Sequence, residues 1–395
     1  MSLSNIVNYA FLLEEFPYPR DRSGVSLYDY EMLINAPVNA NIDVYILFGE
    51  RDVSYENALR QDINCSVTFF YLAKKKSRIL FFSSVLIRSL LGLVGSSRDV
   101  GFKVPMLKEK EYKSLYSSPM LSQFSFGHGY PVLLNAVDSF SKYNYRLYRE
   151  NKKTSALCKY KIYSFYEKHL LNIASKVSFV SCEDADFVKN NLKNKGNCNI
   201  IVSPLGVDKE AFRYVGLDNG RNKFSILFLG NFNYYPNVDA ARYLALEVFP
   251  KIKEKISDAT LVIVGNNPPL DICGLPDVEC TGYVEDVKDY YWSSSIFICP
   301  LRLGAGTKNK ILEAMASGLP IISTRVGVEG IPNIEHKIHF VEANTLEDIV
   351  DSAIDVMNDS RLASKLSKNA ISLINGNFSW KAIIDNAFQV LNRLD

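Results

Sequence analysis

Residues 300–330, PLRLGAGTKNKILEAMASGLPIISTRVGVEG, hold a strand end, a glycine loop, a helix and a second strand in one short run. Ile296 to Pro300 is continuously apolar, as a strand buried on both faces of a parallel sheet must be. Gly304, Ala305 and Gly306 then turn the chain, and the two glycines admit backbone angles and close approaches that other residues refuse. Thr307 stands where a helix cap is expected. Ile311, Leu312, Met315 and Ala316 follow helical spacing from Lys308 to Ser317. Gly318 and Pro320 stop that helix, and Ile321 and Ile322 begin the next strand. A strand that returns to its own sheet through a helix is a βαβ unit, which restricts the chain to an α/β architecture.

The same run suggests chemistry. A helix opening from a glycine loop offers unpaired N–H groups and the positive end of its dipole, a natural seat for phosphate. Lys308 and Lys310 lie in that first turn, where the helix alone disfavours a cation, so their presence makes sense with an anion between them. Glu313 follows Lys310 by three residues, one turn deeper on nearly the same face, where it could accept from vicinal hydroxyls such as those of a ribose. The plainer alternative is a solvated turn with an intrahelical Lys310–Glu313 pair.

Strand and helix alternate elsewhere as well. Ile6 to Leu13, Asp43 to Phe48, Ser66 to Leu72, Leu121 to Phe126, Val132 to Val137 and Lys176 to Ser181 read as strands of one doubly wound sheet. Phe224 to Gly230, Ala259 to Gly265 and a short strand in VECTGYVED begin a second. At 395 residues, two domains are expected. Asp138 ends a strand, where functional residues of such sheets collect. His128, between Gly127 and Gly129, is the histidine most open to a functional role. Asp184-Ala-Asp186 has the spelling of a metal-binding DxD, but it opens a helix, where acids belong in any case.

Composition narrows the partners. Hydrophobic and charged fractions of 47% and 22% are those of an ordinary globular chain. Seven cysteines without a CxxC spacing read as dispersed thiols of a reducing compartment, not a disulfide framework or zinc site. The N-terminus lacks the basic start of a secretory signal, and no uncharged apolar run is long enough to span a bilayer; a cytoplasmic protein is expected. Residues 1–205 hold 26 Lys and Arg against 19 Asp and Glu, and the remainder 19 against 24. The first half is therefore basic. Lys74, Lys75, Lys76 and Arg78 precede an apolar stretch reaching Val94, which reads either as a core helix or as one lying on the inner face of an anionic membrane.

GAGTKNKILEAMASGLPIISTRVGVEGI closely resembles the donor-site segment of family 4 glycosyltransferases, most of all the exopolysaccharide-type sugar transferases. FPYP followed by Arg22, Ser23 and Gly24 resembles the same group near the N-terminus. The resemblance implies the GT-B fold: two doubly wound Rossmann-like domains facing each other across a cleft. It places an acceptor-side domain at 1–205, a donor-binding domain at 206–377 and a last helix at 378–395 packing back onto the first. It implies that Glu313 holds the donor ribose, that the Gly304–Lys308 loop and Gly24 hold the diphosphate, and that Gly282, Tyr283 and Val284 cradle the nucleobase through their backbone.

The expected activity is retaining, metal-independent transfer from a nucleotide diphosphate sugar to a glycan or lipid-linked acceptor in surface polysaccharide or glycoconjugate synthesis, with no cofactor and no nucleic acid. Lys310, Glu313 and Asp138 are the expected catalytic residues. Two departures stand out: the family's first glutamate is Ala305 here, and its usual histidine is Val137. The rival readings are a nucleotide-sugar epimerase of the same fold and an inactive scaffold subunit of a glycan-assembly complex.

Overall fold

The computed structural model describes residues 6–20, 23–48, 50–71, 107, 110–118, 129–191, 199–216 and 222–394. The expected Lys74–Val94 helix, the strand Leu121–Phe126, Arg22 and His128 lie outside the described residues. The chain divides into two compact units, Met1–Pro204 with Trp380–Asp395, and Leu205–Ser379.

Among the described residues the first unit carries seven parallel strands: β1 (Val7–Leu13), β2 (Ala40–Ile46), β3 (Ser66–Tyr71), β4 (Ser114–Ser117), β5 (Val132–Val137), β6 (Lys176–Phe179) and β7 (Ile200–Val202). Their order is β3-β2-β1-β4-β5-β6-β7. The second unit carries β8 (Ser225–Leu229), β9 (Thr260–Val264), β10 (Val278–Gly282), β11 (Ile296–Cys299), β12 (Ile321–Ser323) and β13 (Val341–Glu342), ordered β10-β9-β8-β11-β12-β13. Each order reverses direction once, between β1 and β4 and between β8 and β11. Ligands of doubly wound sheets bind beyond the carboxyl ends of the strands at that reversal.

The central strands are buried along their whole length, which is why their sequences run apolar without alternation: β5 and β8 have no exposed position. β4, SLYS, has little apolar character to announce it, yet all four residues are buried between β1 and β5. The helix Phe140–Asn151 also escapes the sequence reading, because its half-buried tyrosines blur the period. The helix after β8 is continuous but contains a π-helical turn, Leu244–Val248, between Tyr235–Tyr243 and Phe249–Lys255.

The helix Trp380–Arg393 belongs to the first unit. Phe388 packs edge-on against Tyr9 with ring centroids 5.3 Å apart, and Tyr9 donates to Asn392 Oδ1 at 2.6 Å. On the helix Gly24–Ile34, Tyr28 OH lies 2.6 Å from Ser203 Oγ and its ring meets Trp380 edge-on at 5.9 Å.

Candidate functional site

The reversal between β8 and β11 is where the chemistry-bearing residues of the second unit gather. β11 runs into the loop 300–308, and the helix Asn309–Ala316 follows it. Gly304 and Gly306 take φ of 142° and 66°, angles that favour glycine, so the turn depends on them. Thr307 does not cap the helix as its position predicts. Lys308 is the N-cap residue and makes no side-chain cap, while Thr307 Oγ1 donates to Gly330 O at 3.1 Å and ties the loop to the segment after β12. The first N–H groups of the helix therefore lack the usual side-chain acceptor at the cap, the condition under which an anion is welcome.

Lys308 is buried, and its Nζ donates to Gly306 O at 2.6 Å, so the ammonium folds back inside its own loop. The lysine stem lies against the backbone of Gly304, where an added Cβ would be in ordinary contact with its Cε at 3.6 Å. Lys310 reaches the end of β8: its Nζ donates to Leu229 O at 2.6 Å and to Asn237 Oδ1 at 2.8 Å, and lies 4.5 Å from the centre of the Phe228 ring. An ammonium has three donors, and these two bonds use two. Burial pushes the Lys310 pKa down to about 8; Lys308 acts in the same direction, and negative charge on Cys299 or Glu313 opposes it.

The Lys310–Glu313 pair offered by helical spacing does not form. Glu313 Oε2 instead accepts from Tyr291 OH at 2.8 Å, and the same hydroxyl lies 3.2 Å from Lys310 O. Tyr291 is fully buried, packed edge-on against Phe212 at 5.7 Å. It fixes one oxygen of a half-exposed carboxylate. Asn237 is the other residue that sequence reasoning missed. Its Nδ2 donates to Asn231 O at 2.9 Å while its Oδ1 holds Lys310. Its sequence signal is the Tyr235-Pro236-Asn237 helix start, where proline marks the first turn.

Gly282, Tyr283 and Val284 follow β10. The β9–β10 register shifts between Cys280 and Gly282, Gly282 takes φ 72°, and its carbonyl accepts from Gly265 N at 3.1 Å. The bulge turns Tyr283 outward, 68% exposed. Two strands, β9 and β8, separate this loop from β11; three strand spacings put it about 14 Å away across the sheet. Gly265 makes the approach possible, since a Cβ there would lie 1.9 Å from Gly230 O.

In the first unit, Gly24 and the end of β5 come together: a Cβ on Gly24 would lie 4.0 Å from Val137 Cγ1. Ser23 caps the helix by accepting from Ser26 N at 3.0 Å. Val137, where the resembling family has histidine, takes φ 59°, a strained angle for a β-branched residue. Asp138 follows it, half-buried.

The next residues show what holds the strain. Ser139 N donates to Asp184 Oδ2 at 2.7 Å, and Lys142 Nζ donates to Asp184 Oδ1 at 2.7 Å. Ser141 N donates to Glu167 Oε1 at 3.0 Å, and the Ser139 and Ser141 hydroxyls also bond to Glu167. Asp184, Lys142 and Glu167 are all buried. Burial pushes the Glu167 pKa up to about 7 against the hydrogen bonds that lower it. Asp184 is thus committed to Lys142 and the Ser139 backbone, and Asp186 is exposed beside Lys189. The DxD spelling serves structure.

Residues 223–359 match the family described as glycosyl transferases group 1. An uncharacterized 44.6 kDa protein from the cps region of Klebsiella pneumoniae is 26% identical over 243 residues, 58% of this chain and 61% of that protein. An uncharacterized glycosyltransferase of Methanocaldococcus jannaschii is 24% identical over 260 residues, 60% of this chain and 64% of its own. The alignments span a little over three fifths of these two curated relatives. Among solved structures, Anabaena HepE in complex with UDP superposes with a TM-score of 0.65 at 13% identity, covering 98% of this chain and all of that one. S. aureus TarM, in a complex that includes UDP, gives 0.69 at 11%, with 98% and 100% covered. These likenesses show the fold, which is GT-B.

Proposed function

We propose, for a chain whose second unit belongs to the glycosyl transferases group 1 family, that it transfers a sugar with retention from a nucleotide diphosphate sugar to a hydroxyl of a glycan or lipid-linked acceptor in the synthesis of a surface polysaccharide or glycoconjugate. The observation that carries this reading is the placement of Lys310. Its ammonium is desolvated and anchored at the end of β8, beside a helix start without a side-chain cap and one helical turn before a carboxylate oriented by Tyr291. Cation, oriented N–H groups and carboxylate suit a diphosphate joined to a ribose.

In this reading Gly304, Ala305, Gly306, Thr307 and Lys308 receive the diphosphate, Glu313 accepts from the ribose hydroxyls, and Gly282, Tyr283 and Val284 meet the nucleobase. As the bond between the sugar carbon and the phosphate oxygen breaks, its electron pair stays on that oxygen. The growing charge falls to Lys308, Lys310 and the helix start, in a site dry enough for these groups to act strongly. The acceptor hydroxyl adds to the sugar carbon on the same face and gives its proton to the departing phosphate oxygen. Asp138 and Gly24 serve the first unit's side of the reaction. A bound divalent metal is not required for nucleotide binding.

The test is a thermal-shift screen with nucleoside diphosphates and nucleotide sugars in chelator, followed by product analysis. UDP is the first probe, because the HepE and TarM structures hold it. Stabilisation in chelator and a glycoside product support the reading. An isomerised donor sugar would make the chain an epimerase, and the absence of any nucleotide binding would leave a scaffold.

A further inference from the structure

The helices Phe140–Asn151 and Thr154–Ile173 form an antiparallel hairpin: Phe140 stacks on Tyr163 at 5.4 Å and Tyr145 packs on Tyr160 at 5.2 Å. Residues 140–173 contain eight lysines and arginines against two acids. The clamp described above removes Lys142 and Glu167 from the surface in equal number. Every remaining cation is exposed or half-exposed, and Glu150 is the one acid left outside. Among the described residues, no ion pair engages Arg149, Lys152, Lys153, Lys159, Lys161 or Lys168.

The cations are interleaved with rings. On the second helix Lys161, Phe165 and Lys168 occupy positions i, i+4 and i+7, hence one face, and all three are exposed, Phe165 by 43%. At the hairpin's tip Lys152 lies 5.8 Å from the Tyr148 ring centre and Arg149 6.0 Å from that of Tyr145. A polyanion in water would draw on the charge alone. A phenylalanine held outward between two lysines is matched by a bilayer interface, where the ring leaves water and the lysine stems keep their ammonium groups at the phosphates.

We infer that the hairpin's outer face, centred on Lys161, Phe165 and Lys168, docks on an anionic phospholipid surface. The second helix, about 30 Å long at 1.5 Å per residue, would lie along that surface. Among the described residues no helix is long and apolar enough to cross a membrane. The inference does not depend on the donor-site reading.

The test is cosedimentation of the full chain with phosphatidylglycerol-containing and pure phosphatidylcholine vesicles at low and moderate salt. Binding to the anionic vesicles, weakened by salt, is expected. The pair Lys161→Glu and Lys168→Glu should lower that partitioning at least about tenfold, since each basic group near such a surface contributes roughly fivefold. Phe165→Ala should weaken it at both salt levels. All these positions are exposed, so circular dichroism melts should match the parent. Equal binding to both lipids, or variants that bind as the parent does, would overturn the assignment. Soluble dextran sulfate captured equally well by the parent and by Phe165→Ala, without vesicle binding, would overturn it in favour of a polyanion.

Discussion

Tyr291 donates its phenolic hydrogen to Glu313 Oε2 at 2.8 Å from a fully buried position, so the carboxylate is aimed before any ligand arrives. If Glu313 accepts from ribose hydroxyls, those charge-assisted bonds contribute roughly 1.5–3 kcal/mol each. Glu313→Gln should therefore weaken UDP binding by about tenfold to a hundredfold, with little change in melting temperature. Tyr291→Phe should weaken it less, because the charge survives and only its orientation is lost. Calorimetric titration with UDP checks both; an unchanged dissociation constant for Glu313→Gln removes the ribose role.

Lys310 carries a pH signature. Its pKa in the unliganded protein is pushed down to about 8, and a bound diphosphate stabilises the charged form, raising it. Above pH 8, binding must then be accompanied by proton uptake. Affinity for a nucleoside diphosphate should accordingly fall as pH rises through about 8, approaching a tenfold loss per pH unit. Lys310→Met should bind more weakly throughout and lose the break. A pH-independent affinity from 7 to 9.5 in the parent would contradict the assignment.

Glu167 and Asp29 predict an unusual slope in stability. Both carboxyls are pushed up to about 7, in each case chiefly by burial; Asp29 accepts from Tyr116 OH at 2.7 Å. A raised carboxyl pKa means that the folded state binds more protons than the unfolded state between about pH 4 and 7, so stability falls as pH rises through that window. Glu167→Gln should flatten the slope by an amount on the order of 3 kcal/mol across it. Urea denaturation at pH 5 and pH 7.5 gives the comparison, and identical slopes for parent and variant would reject it.

Gly265→Ala tests the geometry under the glycine loops. The new methyl would meet Gly230 O at 1.9 Å from a backbone at φ 137°. Relief requires moving β8 from β9, so the cost should exceed about 3 kcal/mol. A chemical melt of the variant within 1 kcal/mol of the parent would show that the strand ends yield.

Much of this was legible in the chain itself. Runs such as Val132–Val137 and the glycine-bounded helix after Pro300 declare buried strands and a βαβ crossover, because local spacing suffices to encode them. The partners of the charged groups were not legible. Spacing along one helix offered Lys310 to Glu313, whereas folding gave the lysine to Leu229 and Asn237, more than seventy positions earlier, and the glutamate to Tyr291. Likewise the position of Asp184 at a helix start argues for a structural acid, but its partner Lys142, on the helix Phe140–Asn151, is not encoded in any local spacing. Pairings over such separations depend on which strand ends fall side by side, and no local pattern records that.

The helix Trp380–Arg393, through Phe388 against Tyr9 and Trp380 against Tyr28, has a consequence for synthesis on the ribosome. The first unit draws one of its elements from residues that follow the whole of the second, which is contiguous from Leu205 to Ser379. The usual order, amino-terminal domain first, cannot then run to completion: β1 waits for Phe388 and Asn392 until the whole of the second unit has been made. A released chain truncated after Ser379 should resist protease in the second unit and be cut in the first, where the rings of Tyr9, Phe11 and Tyr28 lose the cover of Phe388 and Trp380 and become a substrate for chaperones.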